Sequence, residues 1–228
     1  MDPLARFYTE DRISELLVSE MTFNNPKVVI DLGIGEGSLS KAAYRKWESA
    51  IYLATDIDKN QIIETEKKLP YIKIFEANGL CDNIQNKLKI RIGTVDVAIC
   101  NPPYLKIYSK HKKFNTLFKR VGLDNCIKLR FYTSDLIFFA QNLLLLKEGG
   151  ELGIILSDSL LASAEFKIFR QDVIDNHTID TVIQLPEKSF LLLHLHRPYH
   201  PVIGWSVFFF YPLSCFGLRG KAMNSFVL

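Results

Sequence analysis

Residues 27–47 read KVVIDLGIGEGSLSKAAYRKW. Lys27–Ile30 is a short β-rich run, and Ser38–Trp47 carries the apolar spacing of a helix. Between them Gly33, Gly35 and Gly37 permit a tight turn and let a ligand approach the backbone closely. Strand, glycine turn and helix in that order form the opening unit of an α/β fold. Outward from it the same alternation continues. Buried strands are expected at Ile51–Thr55, Ile72–Phe75, Val95–Cys100, Gly150–Leu156 and Thr181–Leu185. Helices are expected at Asp11–Met21, Lys59–Leu69, Ser134–Leu146 (stopped by Lys147-Glu148-Gly149-Gly150) and Ala162–Ile174. The pattern predicts a mostly parallel, doubly wound sheet with helices on both faces. Ligands of such sheets bind beyond the carboxyl ends of the strands. That directs attention to Asp31–Gly37, Asp56–Asp58, Ala77–Leu80 and Asn101–Tyr104.

The glycine spacing is GxGxG rather than the GxGxxG of dinucleotide binding, and the strand before it ends on Asp31. An acid there suits a ligand with a positive amino group and would repel a pyrophosphate; a plain nucleotide loop or a structural turn is the alternative. Asp56, at the end of the second strand, is placed to accept hydrogen bonds from a ribose diol. The competing role is capping the following helix, which Asp58 fits better. Asn101-Pro102-Pro103-Tyr104 closes the fourth strand. The Asn101 side-chain oxygen and the Pro102 carbonyl are two acceptors that together can take both hydrogens of one planar amino group, while Tyr104 offers a flat face for stacking. The bland alternative is a proline turn followed by a core tyrosine.

The 228 residues are 48% apolar and 23% charged, which excludes a wholly disordered chain and suits one domain. Cys81, Cys100, Cys126 and Cys215 show no CxxC spacing, so buried free thiols in a reducing compartment are expected, with neither a zinc site nor a disulfide framework. MDPLARFYTEDR has no apolar signal region, and the expected location is the cytoplasm. The formal net charge of +3 is unevenly spread. Residues 101–130 hold eight basic residues against the single acid Asp124, leaving the rest of the chain net negative. Lys106, Lys110, Lys112, Lys113, Lys119 and Arg120 therefore suggest a polyanion held beside Tyr104, a solvated Lys-rich loop being the alternative. The last 35 residues contain no Asp or Glu and hold three of the five His. Either a reading-frame change or truncation has replaced the natural C-terminus, or the stretch is an unusual edge strand around Val202–Tyr211.

DLGIGEG, TDID and NPPY on successive strand ends resemble the S-adenosylmethionine-dependent amino-methyltransferases, above all the adenine-specific (N-6) DNA methyltransferases of restriction–modification systems. Arg6-Phe7-Tyr8-Thr9 is similar to that family's N-terminal cofactor motif in the gamma-type order. Ser134–Leu156 is similar to the helix–GG–strand that follows NPPY in type I modification subunits. The resemblance covers roughly Leu4 to Phe190. It implies a Rossmann-like catalytic domain over residues 1–190, followed by an atypical tail (191–228) that leaves the sheet incompletely closed and no target-recognition domain. It implies S-adenosylmethionine as cofactor, held by Tyr8, Thr9, Asp31, Gly33, Gly35, Gly37 and Asp56. Asn78 would replace the family's usual acid, with Asp82 the alternative. Asn101, Pro102, Pro103 and Tyr104 would grip an adenine flipped out of the duplex, and Phe190 would be a second stacking aromatic. The partners implied are DNA and a separate specificity or restriction subunit, with no metal and no membrane. Two other readings stay open: an NPPY enzyme acting on a release-factor glutamine or ribosomal RNA, and an inactive remnant that only binds cofactor or nucleic acid.

Overall fold

The branched and apolar runs form strands, and the glycine turns hand them to helices. In the computed structural model, which describes residues 9–108, 112–185, 190–197 and 208–210, the first elements are Asp11–Glu20 (α1), Val28–Leu32 (β1), Ser38–Lys46 (α2), Ile51–Asp56 (β2), Lys59–Lys68 (α3) and Ile72–Glu76 (β3). Next come Ile84–Leu88 (α4), Val95–Cys100 (β4), Lys106–Ile107 (β5), Lys112–Arg120 (α5), Tyr132–Thr133 (β6) and Ser134–Leu145 (α6). Leu146–Ser157 (β7), Asp158–Ala162 (α7), Lys167–Asn176 (α8), Thr178–Gln184 (β8), Phe190–His196 (β9) and Phe208–Phe210 (β10) follow.

Eight strands form one sheet in the order β10-β8-β9-β7-β4-β1-β2-β3, and β5 pairs with β6 apart from it. The pairs β1–β2, β2–β3, β1–β4 and β4–β7 are parallel, while β9 runs antiparallel to both its neighbours. This is the mostly parallel, Rossmann-like sheet expected. From β1 the chain runs one way through β2 to β3, then returns to β4 on β1's other side, so a crevice opens between the carboxyl ends of β1 and β4. Side chains alternate across the sheet. Val29, Val97 and Ile99 join a core with Leu17, Leu39 and Trp47 on one face, while Ile30, Leu32, Ala98 and Cys100 pack with Phe118, Phe139 and Phe169 on the other. Every residue of α6 is buried, the apolar ones and Ser134, Asp135, Gln141 and Asn142 alike.

Three expectations are corrected. The helix expected over Ala162–Ile174 is broken at Ser163, whose backbone is extended (ψ 147°); the Arg170 guanidinium caps the freed carbonyls of Leu160 and Ser163. The helix before Lys147–Gly150 ends at Leu145, close to its expected stop, but the strand expected from Gly150 already begins at Leu146 as β7. Gly149 has φ 71°, and a Cβ on Gly150 would stand 3.0 Å from the Val95 carbonyl, so a glycine is what allows the irregular pairing with β4. Third, the chain after 190 adds to the sheet: β9 fills the place between β7 and β8, and β10 lies parallel to β8 at the edge, within the stretch expected as an edge strand. Cys100 and Cys126 are buried free thiols, and Cys81 is half-buried and free.

Glu151 of β7 ties this end together. One carboxylate oxygen accepts from the Thr22 hydroxyl (2.7 Å) and His196 Nε2 (2.8 Å), the other from the Thr22 N–H (2.9 Å) and His194 Nε2 (3.0 Å). Burial opposes its charge, but these four donors outweigh burial and hold the carboxyl well below its usual range. All four of its lone-pair positions are engaged, so the cluster is a closed clasp.

Candidate active site

Gly33, Gly35 and Gly37 take φ values of 79°, 52° and 82°. The loop is anchored from beneath. The Gly33 and Ile34 N–H groups donate to the Thr55 carbonyl (2.8 and 2.9 Å), Gly35 N–H donates to Asp56 Oδ2 (2.9 Å), and the Thr65 hydroxyl donates to the Gly35 carbonyl (2.7 Å). A Cβ on Gly37 would lie 2.4 Å from the Leu69 side chain. So fixed, the loop borders a cavity of about 230 Å³ that Thr9, Asp31, Asp56, Asn78, Asn101 and Pro102 also line.

Asp31 is 3% exposed and accepts from Ser40 Oγ at 2.7 Å. Burial, only partly relieved by Ser40 and reinforced by the nearby Asp56 carboxylate, pushes its pKa up to about 7. A buried acid with one donor and a like charge nearby is stabilised by an arriving cation. Asp56 accepts from Gly35 N–H on one oxygen and Asp58 N–H (3.0 Å) on the other, leaving a lone pair on each. Asp58 caps α3 through the Asn60 and Gln61 N–H groups, the role expected for it from sequence. Asn78 is exposed and closes its own turn by accepting from Leu80 N–H (2.9 Å). Asp82 lines a separate depression with Lys113 and Arg120 and does not border the main cavity.

At the end of β4, Asn101 Nδ2 donates to Thr9 Oγ1 (2.8 Å), and Asn101 Oδ1 accepts from the Tyr104 hydroxyl (2.7 Å), which also lies 3.1 Å from the Ile155 carbonyl. Ser134 pins the turn: its hydroxyl donates to the Pro103 carbonyl and accepts from Leu105 N–H, and its own N–H donates to the Leu105 carbonyl. No described residue donates to the Pro102 carbonyl. Pro102 and Pro103 border the cavity; Tyr104 is half-buried behind it, its phenol pushed well above the usual pKa by burial.

Sequence reasoning missed Phe138. Its ring backs the cavity so closely that a Cβ on Gly79 would come within 2.3 Å of it and one on Gly33 within 3.4 Å. No local signal marks it, because it is one apolar residue in an apolar helix. The basic residues divide as the helix period dictates. Phe114, Leu117 and Phe118 turn inward from α5, while Lys112, Lys113, Lys119 and Arg120 are exposed. Lys113 Nζ reaches the Leu80 carbonyl (3.2 Å), and Lys106 lies over the Phe131 ring, 5.2 Å from its centre. Tyr8 and Lys110 lie outside the described residues. Phe190 pairs through its backbone with Ser157; its side chain is outside them too. Among the described residues no helix is long and apolar enough to cross a membrane.

The chain is similar to known proteins. The type II methyltransferase M.BsuBI of Bacillus subtilis is 29% identical over 206 residues, and M.PstI of Providencia stuartii 26% over 200; the matches cover 77% and 78% of this chain. The chain spans 38% of the length of each of these curated relatives. Among solved structures, the type I restriction-modification system methyltransferase subunit from Streptococcus thermophilus superposes with a TM-score of 0.72 at 19% identity, over 92% of this chain and 48% of that one. A putative class I S-adenosylmethionine-dependent methyltransferase from Listeria monocytogenes has a similar fold, with a TM-score of 0.64 at 17% identity over 87% of this chain and 63% of that one. Residues 4–196 match the N-6 DNA Methylase family from before the Thr9 contact to the end of β9, and the chain belongs to that family.

Proposed function

We propose that this chain is the catalytic module of an adenine-specific DNA methyltransferase that uses S-adenosylmethionine. The observation that carries the reading is the pairing, across one crevice, of a buried acid suited to a cation (Asp31) with an acceptor pair suited to an amino group (Asn101 and Pro102). The donor set fits the cofactor. Asp31 would meet its ammonium, the two remaining lone pairs of Asp56 its ribose diol, and the glycine turn its close approach, with Thr9, Tyr8 and Asn78 around it. When bound, S-adenosylmethionine supplies an already activated sulfonium methyl.

The chain's own residues then need only present the nitrogen. Asn101 Oδ1 and the Pro102 carbonyl accept both hydrogens of the adenine amino group, which draws its lone pair out of the ring and aims it for in-line attack. No strong base is required beforehand, because the proton leaves after attack; catalysis is positioning and alignment. Reaching that nitrogen requires flipping the adenine from the duplex. Phe190 and Tyr104 would stack on it, and Lys106, Lys110, Lys112, Lys113, Lys119 and Arg120 would neutralise flanking phosphates. The choice of target sequence would fall to a further recognition element, such as a specificity subunit.

Incubation with methyl-labelled S-adenosylmethionine and duplex DNA, release factor or ribosomal RNA tests the reading. Label on adenine N6 of DNA, lost in Asn101→Ala, is expected. Label on release factor or RNA alone would replace this substrate, and transfer to DNA that survives Asn101→Ala would remove Asn101 from the site.

A further inference from the structure

The first length of chain after Asn101–Tyr104 stays apart from the main sheet. Leu105 borders the cavity and is clamped to Ser134 through both its N–H and its carbonyl. From there Lys106 and Ile107 of β5 pair antiparallel with Thr133 and Tyr132 of β6. Continuing that register sets Tyr108 opposite Phe131, and side-chain alternation puts Lys106 on the same face as Tyr108. The contacts agree. The Tyr108 and Phe131 ring centres stand 5.8 Å apart, and Lys106 Nζ lies 5.2 Å from the Phe131 centre. Phe131 in turn meets the buried Phe166 ring edge-on at 5.8 Å. A tier of rings thus runs from the core to the surface and ends on Tyr108, which is 74% exposed.

One exposed ring is ordinary by itself; its position is what matters. Three extended residues span about 10 Å, and each strand of duplex DNA rises about 3.4 Å per base. Tyr108 therefore lies within about three base steps of Leu105 and the cavity wall. Flipping a base leaves a gap in the stack and an unpaired base in the opposite strand. A flat ring suits such a gap, because every base offers a π-face to stack on. The surroundings suit DNA rather than an apolar protein surface: Lys106, Lys112 and Lys113, on either side of Tyr108 in the chain, are exposed. Resting on the adenine reading above, we propose that Tyr108 enters the duplex as the adenine leaves it and stacks on the unpaired base of the opposite strand.

The test uses the full chain and two duplexes of one sequence, one intact and one with an abasic tetrahydrofuran residue opposite a thymine. Both carry the same phosphates, so the ratio of their Kd values cancels the backbone contribution. The wild type is expected to bind the abasic duplex roughly 10-fold more tightly, the size of one base–aromatic stack. In Tyr108→Ala the ratio falls to about one, with Tm unchanged because the ring is mostly exposed. Tyr108→Phe keeps the ring and the preference. With 5-iodouracil in place of that thymine, ultraviolet light is expected to cross-link the wild type at Tyr108. A wild type without preference for the abasic duplex overturns the proposal. So does a preference that survives Tyr108→Ala, or a cross-link that maps to another residue. Neither readout needs methyl transfer, so the two readings fail separately. Label on release factor or RNA alone removes the adenine reading and this proposal with it. Label on adenine N6 without an abasic preference removes the role of Tyr108 and leaves the adenine reading standing.

Discussion

Glu151 and Asp31 are both buried carboxylates of one sheet, and they are treated in opposite ways. Glu151, near the amino edge of the parallel strands, has four donors and is held well below the usual carboxylate range. At the same edge Asp96 accepts the N–H groups of Lys27 and Val28 and pairs with Lys147, which hold it low despite burial. Asp31, at the carboxyl edge, has one hydroxyl donor and a neighbouring carboxylate, and its pKa rises to about 7. The carboxylates of the amino edge are supplied with donors by the fold, and Asp31 at the carboxyl edge is not. Buried charge that the fold does not satisfy by itself marks where a ligand is meant to do so.

The largest effect follows from breaking the amino edge. Glu151→Ala strands His194, which is fully buried, and the Thr22 N–H. A loss of about 4 kcal/mol is expected, read as a fall of roughly 10 °C in Tm. A variant that melts with wild type would show that the clasp contributes nothing. At the other edge the sign reverses. The folded protein favours protonated Asp31, so its charge weighs against folding as pH rises from about 4 to 7 and in full above that. Asp31→Asn is therefore expected to raise Tm at pH 8 while weakening S-adenosylmethionine binding at least about 10-fold. A lower Tm at pH 8 would contradict the comparison.

A smaller effect concerns His196, which Asp180 and Glu151 raise to about 9 against the cost of burial. A raised histidine stabilises fully below about pH 6.5, and that contribution disappears as pH climbs through 9. His196→Gln is expected to flatten the fall in Tm across this window; an unchanged slope would assign it elsewhere. Smallest of all, changing Lys112 and Lys113 together to Ala, on the exposed face of α5, should lower the log–log salt slope of DNA binding by about 2. Identical slopes would remove α5 from the DNA surface.

The carboxyl edge was largely legible in sequence, and the amino edge was not. Asp31, the three glycines, Asp56 and Asn101 sit at strand ends, where local pattern and chain order suffice to place them. The clasp joins Thr22, Glu151, His194 and His196 across three parts of the chain, and no spacing announces such a set. Phe138 was hidden for the same reason, as was the Thr9 bond, because both depend on tertiary approach. Lys147–Gly150 follows the helix end as read, but the early start of β7 was missed, because a Gly-Gly that suits a helix end is also what an irregular strand needs beside Val95 and Asp96.

The central claim, that Asp31 is left unsatisfied so that a cationic ligand can satisfy it, is tested most directly by calorimetry. S-adenosylmethionine is titrated into the chain at pH 7 in buffers of different ionisation enthalpy. The account predicts binding with release of a fraction of a proton from Asp31, and no release in Asp31→Asn. Binding without proton release in the wild type, or release that persists in Asp31→Asn, would contradict it.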